Sequence, residues 1–371
     1  MATVYKEFLK SDMTNTRTLL HEAIPVTGSI VSGTYGGDTV ALGSEPHIKK
    51  YAHGMFESVY DYPYLSSSAN HIFDITTGYS SVSVLSSSAN TQNSKKINIY
   101  NQMAQLLVGY DHTGSIQRFD QDGALASGAK LDDVFFINFS RLLTKDEIKK
   151  GTFQLELGTA DAFTETTANF TERVKITDAS GSSGYFVNSP AGEYGVLYAT
   201  ASAGTNILAV HQSYQVGLLF YQAGVAVISG SVFNDAADGG ILNNSANTLT
   251  MTVDGGADGF NTITGSNIGA FADAIRNRVY NIQFDNTTEL NSTIHFCRVN
   301  HNEYNYSANP TYLTGSKIRV KGSNRRNLPV SYITTIGLYS ADRELLAVAK
   351  LSEPVKKDPT TELTLKVRLD Y

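Results

Sequence analysis

The C-terminal residues alternate so regularly that a helix cannot accommodate them. In "TLKVRLDY" (residues 364–371), Leu365, Val367 and Leu369 fall on one side of an extended chain. Lys366, Arg368 and Asp370 fall on the other, which is the period of a half-buried strand. Upstream, "SYITTIGLYS" (331–340) and "ELLAVAKL" (344–351) are apolar runs around "SADRE", which suits a hairpin loop of three to five residues. "TELNSTIHFCRV" (288–299) and "SKIRVKG" (316–322) add further short strands. The spacing therefore predicts an antiparallel sheet at this end of the chain.

Composition extends that expectation to the rest of the chain. Of 371 residues, 41% are hydrophobic and only 17% charged, below the usual share of about 25%. Gly (31), Tyr (21) and Phe (17) are frequent and Trp is absent. Uncharged polar residues on exposed strand faces, with Gly and Asn in turns, account for such a balance. The expected fold is mainly β with a few short helices (α+β), built from antiparallel sheets or a β-sandwich, with a β-rich insertion domain.

Four stretches are distinguishable. Residues 1–50 hold few periodic segments and read as an extended N-terminal arm. Residues 51–159 read as a mixed α/β core part. There, Tyr51, Met55, Phe56, Val59 and Tyr60 recur at helical spacing and predict a short helix over 48–60, ended by Pro63. "KKINIYNQMAQLLVGYD" predicts another, with Ile99, Met103, Leu106 and Leu107 as its apolar stripe and Gly109 at its end. "DDVFFINFSRLL" and "TFQLEL" predict strands. Between them, Thr144 and Glu147 have the spacing of a capping box, predicting a helix that Gly151 stops. Residues 160–266 lose charge and read as a β-rich variable domain or insertion. Residues 267–371 read as a helix followed by an antiparallel β module. In that helix Ile268, Phe271, Ala272, Ile275 and Val279 share a face and Asn267 caps the start.

Reactive chemistry is sparse. Cys297 is the only cysteine, which excludes an intrachain disulfide and a multi-cysteine zinc site and fits a reducing cytoplasm. No phosphate-cradling loop and no GxSxG elbow occurs. Among eight histidines, His295 and His301 with Glu303 come nearest to a ligand set, but two histidines and one acid are a weak signal. "NDAADGG" and "DGGADGF" lack the alternating oxygens and closing Glu of a calcium loop and read as turns. The expectation is therefore no catalytic residue, no cofactor and no metal. A net charge of −6, with "KGSNRRN" as the one basic cluster, argues against nucleic acid. No apolar run approaches the roughly 18 residues of a membrane helix. The opening residues mix charges and lack the apolar stretch of a leader. Tyrosine-dense, Pro-containing segments remain: "YDYPYL" and "EYNYSANPTYL" nominate Tyr60, Tyr62, Tyr64, Tyr304, Tyr306 and Tyr312 as interface residues, because aromatic rings bury much area with few rotors.

The long phrases "KKYAHGMFESVYDYPYLSSSANHIFDITTGYS", "INIYNQMAQLLVGYDHTGSIQRFDQDG", "FFINFSRLLTKDEIKKGTF", "HNEYNYSANPTYLTGSKIRV" and "YITTIGLYSADRELLAVAKLSEPVKKD", in this order, resemble a structural protein of contractile-tailed bacteriophages of marine bacteria, the cyanophage type. The resemblance covers about two thirds of the chain and is weakest over 160–266. It implies a non-enzymatic virion component, tail- or baseplate-associated, assembled in the host cytoplasm. Its implied partners are other virion proteins and copies of itself. It carries no catalytic residue. A receptor- or carbohydrate-binding virion module that touches the host surface is one alternative; a head or neck decoration or collar protein is another.

Overall fold

The computed structural model describes the chain except residues 1–4, 20–23, 29–47, 61–64, 66, 68, 126–127, 144–145, 160–171, 204–206, 208–213, 236–238, 243–258, 277, 307–312, 315–316, 319–325 and 371. Strands β1 (Met13–Leu19), β2 (Ile24–Gly28), β3 (Ile48–Lys50), β4 (Glu57–Tyr60) and β5 (His71–Tyr79) precede helix α1 (Asn93–Leu107). Then come β6 (Asp133–Asn138), β7 (Glu147–Ile148), β8 (Gln154–Gly158) and β9 (Arg173–Thr177). A single turn α2 (Gly181–Gly184) leads to β10 (Phe186–Ser189), β11 (Gly192–Ala203), β12 (Tyr214–Phe220) and β13 (Val225–Ser229). Helix α3 (Ile268–Arg276) opens the remainder: β14 (Val279–Thr287), β15 (Glu289–Val299), β16 (Leu313–Thr314), β17 (Lys317–Ile318), β18 (Ser331–Tyr339), β19 (Leu345–Lys357) and β20 (Leu363–Asp370). The fold is mainly β, with antiparallel sheets and few helices.

The chain forms two compact units: His21–Thr288, and a smaller one made of Met1–Leu20 with Glu289–Tyr371. In the larger, one 13-stranded sheet runs β2-β14-β8-β9-β11-β12-β13-β6-β5-β4-β3, with β10 on β11 and β7 on β14. Both faces carry apolar clusters. Phe139, just after β6, lies 5.7 Å from Phe153 and 5.7 Å from Phe284 on β14. Six places separate β6 from β14 in the sheet, so the sheet curls until its distant strands share one core, the outcome of accumulated strand twist. Helix α1 rests on β5 where Gly78 leaves room: a Cβ there would sit 2.5 Å from the Lys96 carbonyl. On α3, Ile268, Phe271, Ala272 and Ile275 are buried, and Asn267 Oδ1 accepts from the Ala270 N–H at 2.7 Å, as its cap position predicts.

Four local expectations need correction. Residues 48–60 are not helical: β3 and β4 pair with each other, and β4 continues the sheet onto β5. Their apolar residues fit a turn between strands because Val59 enters the common core while Tyr51, His53 and Phe56 pack on one another locally. The Thr144–Glu147 box caps no helix; Thr144 lies outside the described residues, and Glu147 and Ile148 pair with Thr287 and Asn286 of β14. Too few residues precede Gly151 to nucleate a helix against that pairing. On α1 the buried face is Lys96, Ile99, Tyr100, Ala104 and Leu107, while Leu106 is 62% exposed. Val279 starts β14 instead of ending α3.

The strands read within 160–266 hydrogen-bond into the same sheet as β6 and β8. Within residues 1–50, β1 pairs with β15 and β2 with β14. The smaller unit contains the sheet β1-β15-β20, the hairpin β18–β19 and the short pair β16–β17. Met13 faces His295, which faces Val367 on β20.

Candidate interaction site

The hairpin β18–β19 is anchored at its base and bare toward its tip. At the base, Lys357 is fully buried. Its Nζ donates to the His301 carbonyl (3.1 Å), Asn305 Oδ1 (2.6 Å) and the Asp358 carbonyl (2.8 Å). All three ammonium protons are thereby used, which offsets the cost of burying the charge. Next to it, hydrogen bonds from the hydroxyls of Thr360 and Thr361 hold the Asp358 carboxyl far below the usual carboxylate range. Opposite Thr334, β19 bulges between Lys350 and Val355, and Pro354, which has no N–H to pair, sits in the bulge.

Toward the tip the strands pair Ile336 with Ala349, Gly337 with Val348 and Tyr339 with Leu345. The loop closes with Ser340 N–H donating to the Glu344 carbonyl (2.8 Å) and Arg343 in the left-handed region at φ 65°. That is the short loop the "SADRE" segment predicts. Tyr5 meets Tyr339 edge-on at 5.0 Å, and the Arg343 guanidinium lies over the Tyr5 ring. Yet Tyr332, Leu345, Leu346 and Val348 are each more than half exposed. An isolated two-stranded sheet is marginally stable in water, and here its apolar residues face solvent.

Of the nominated tyrosines, Tyr60, Tyr304 and Tyr306 are described. Tyr304 and Tyr306 are exposed in the turn after β15, Tyr304 at φ 51°. Tyr60, half-buried at the end of β4 in the other unit, sets its ring edge-on against His71 at 5.4 Å. Tyr62, Tyr64 and Tyr312 lie outside the described residues. The tip residues Leu345, Leu346 and Val348 were missed by counting aromatics alone; the unbroken apolar run "LLAVA" was the available signal.

Groups that could react are committed elsewhere. Ser58, His71 and Asp74 have the inventory of a hydrolytic triad but different wiring. Asp74 Oδ1 accepts from both the Ser58 hydroxyl (2.5 Å) and His71 Nε2 (2.6 Å). The Ser58 proton therefore points at a carboxylate and not at an imidazole, which is not the hydroxyl–imidazole–carboxylate order of a triad. Burial raises the Asp74 carboxyl, but the hydrogen bonds from His71 and Ser58 outweigh it and leave the group below its ordinary value. Asp178 is raised by burial to about 6, although Gly151 N–H, Phe153 N–H and the Tyr221 hydroxyl all donate to it. Lys96, lowered by burial to about 8, donates to the carbonyls of Thr91, Ile263 and Ser266 and ties α1 to the segment before α3. Burial, then the nearby Asp273, raises Glu57 to about 8.

Of the histidine–acid set, His295 lies against Phe8, His301 pairs with Glu362 (3.3 Å), and Glu303 pairs with Lys6 (2.5 Å). Among the described residues no three His, Cys, Asp or Glu side chains converge as metal ligands, and no helix is long and apolar enough to cross a membrane. Burial raises the Cys297 thiol on β15, which makes it a poor nucleophile.

Comparison with protein-family models, with curated proteins and with solved structures finds no match for this chain.

Proposed function

We propose that this chain is a non-enzymatic structural component of a tailed bacteriophage particle, tail- or baseplate-associated, which acts through contacts between subunits. One observation carries the assembly role: among the described residues no buried apolar cluster belongs to the smaller unit, although its hairpin presents large apolar side chains to solvent. Exposed apolar surface of this kind is stabilised by covering it, and a subunit of an assembly has neighbours to do so. The wiring of Ser58, His71 and Asp74 and the separate partners of His301 and Glu303 support a role without a reaction centre. The virion setting rests on the sequence resemblance.

Immunogold labelling of purified particles with antibody against the chain tests the reading. Gold at the tail or baseplate is the expected result. Label confined to the head overturns the tail position, and absence of the chain from washed particles overturns the virion role.

A further inference from the structure

Among the described residues the hairpin β18–β19 pairs only with itself, and β1, β15 and β20 form a separate sheet. Lys357 fixes the base of the hairpin, but an anchor at one end leaves the direction of the tip open. The amino-terminal segment of the chain reaches that tip. Residues 5–12 lie ahead of β1 and touch the smaller unit at four successive places. Tyr5 meets Tyr339 edge-on at 5.0 Å, with the Arg343 guanidinium over its ring. Lys6 Nζ donates to Glu303 Oε2 (2.5 Å) in the turn after β15. The Phe8 and His295 rings lie 5.3 Å apart. The Asp12 carboxylate lies 2.7 Å from Arg298 Nε on β15, and from Met13 onward β1 pairs with β15. One short segment thus connects the hairpin tip to β15, which no strand ladder does.

The backbone carries a second sign of this connection. Arg343 has φ 65°, and Tyr304, next to Glu303, has φ 51°. Residues other than glycine enter the left-handed region at a cost and stay there where their surroundings hold them. Tyr5 against Arg343 and Lys6 against Glu303 supply such a hold at both places.

The hold is graded along the segment. Asp12 is buried, whereas Tyr5 is 41% and Leu9 68% exposed. The Lys6 and Glu303 side chains are about one third exposed, and ion pairs so placed are weak. The hydrogen bond from Lys6 still holds the Glu303 carboxyl below its ordinary value, so Glu303 is ionised at neutral pH.

From these contacts we propose that residues 5–12 form a strap that sets the direction of the hairpin relative to the three-stranded sheet. The strap peels from its Tyr5 end, and the tip then swings while Asp12 and β1 stay in place. Leu345, Leu346 and Val348 are presented in one direction with the strap closed and in many with it open.

Pulsed electron resonance between two nitroxide labels on the full-length chain tests this. In a Cys297→Ser background the labels enter through Leu346→Cys at the tip and Lys366→Cys on β20, both exposed positions. This parent chain is expected to give a narrow distance distribution. Tyr5→Ser and Lys6→Glu are each expected to broaden it, with an unchanged far-ultraviolet spectrum because both side chains are exposed. Lys6→Glu combined with Glu303→Lys restores the ion pair in reverse and is expected to narrow the distribution again.

A distribution that stays narrow in Tyr5→Ser overturns the strap, because the base then directs the hairpin by itself. A parent chain that is already broad overturns it too, as does a reversed pair that remains broad. These distances are read within one molecule in solution, so each result leaves the particle role proposed above to its own test.

Discussion

The larger unit buries its apolar residues in two clusters on the faces of one curled sheet, and the smaller unit assembles strands without comparable burial. Among the described residues only Val299, Leu338 and Val367 of the smaller unit are buried hydrophobics. Among the described residues, eleven of the seventeen large apolar side chains that are strongly exposed lie in that unit. Its strands are held by ladder hydrogen bonds and by polar anchors such as Lys357. The lesson is that one chain can divide its labour: a region that folds on its own apolar content, and a region whose apolar content is directed outward.

The sharpest way to break this contrast is to attack each unit at its own support. Phe284 packs against Phe139 and Phe153 in the larger core, so Phe284→Ala should cost about 3–5 kcal/mol in urea unfolding. A loss below about 1 kcal/mol would mean that the curled sheet does not depend on that meeting of strands. In the smaller unit the equivalent support is polar. Lys357→Met withdraws the buried ammonium from three acceptors at the hairpin base, and should cost about 1–3 kcal/mol, read as lost amide exchange protection in β18 and β19.

A pH series refines the picture of the larger unit. Glu57 has an ordinary value of 4.5 and a value of about 8 in the fold. Between these the folded chain keeps a proton that the unfolded chain has released, so the stabilising contribution is full below about 4.5 and declines as pH rises through about 8. Glu57→Gln should flatten the stability profile over that window, measured by thermal melts at stepped pH. A profile still falling in the variant would assign the slope to another group.

The smallest effect belongs to the exposed strand face. Tyr332 is 55% exposed, and Tyr332→Thr should shift the melting free energy of the isolated chain by no more than about 0.5 kcal/mol. A loss above about 2 kcal/mol would show that a cover for this face already exists within one molecule, and the division between units would collapse.

Much of the fold was legible where period and partner agreed. The alternation in "TLKVRLDY" placed β20 correctly, and "SADRE" marked the hairpin loop because a left-handed residue and a Ser side chain can close it locally. Asn267 marked the start of α3 for the same reason: a cap acts within one turn. The misread segments were those where tertiary pairing overrode local preference. Helical spacing over 48–60 came from rings that cluster around a turn, and the capping pattern at Glu147 yielded to pairing with Thr287.

The candidate interaction surface was legible in kind but not in place. Aromatic density drew attention to Tyr304 and Tyr306, whereas Leu345, Leu346 and Val348 are exposed side by side on one strand. Those three residues belong to an apolar run that reads as a strand, and their exposure is evident only from the structure. The triad inventory of Ser58, His71 and Asp74 was invisible, because nothing in residue order reveals which atom a hydroxyl addresses.

The register of β1 has a consequence for biosynthesis. Met13 faces His295, about 280 residues later, and β15 in turn waits for β20. At translation speeds of about 5–20 residues per second, the amino-terminal strand emerges tens of seconds before its mate. The larger unit has time to fold in that interval, while the smaller unit stays unfinished on the ribosome. Truncated products would thus lack β20, and β15 would be left without its second neighbour.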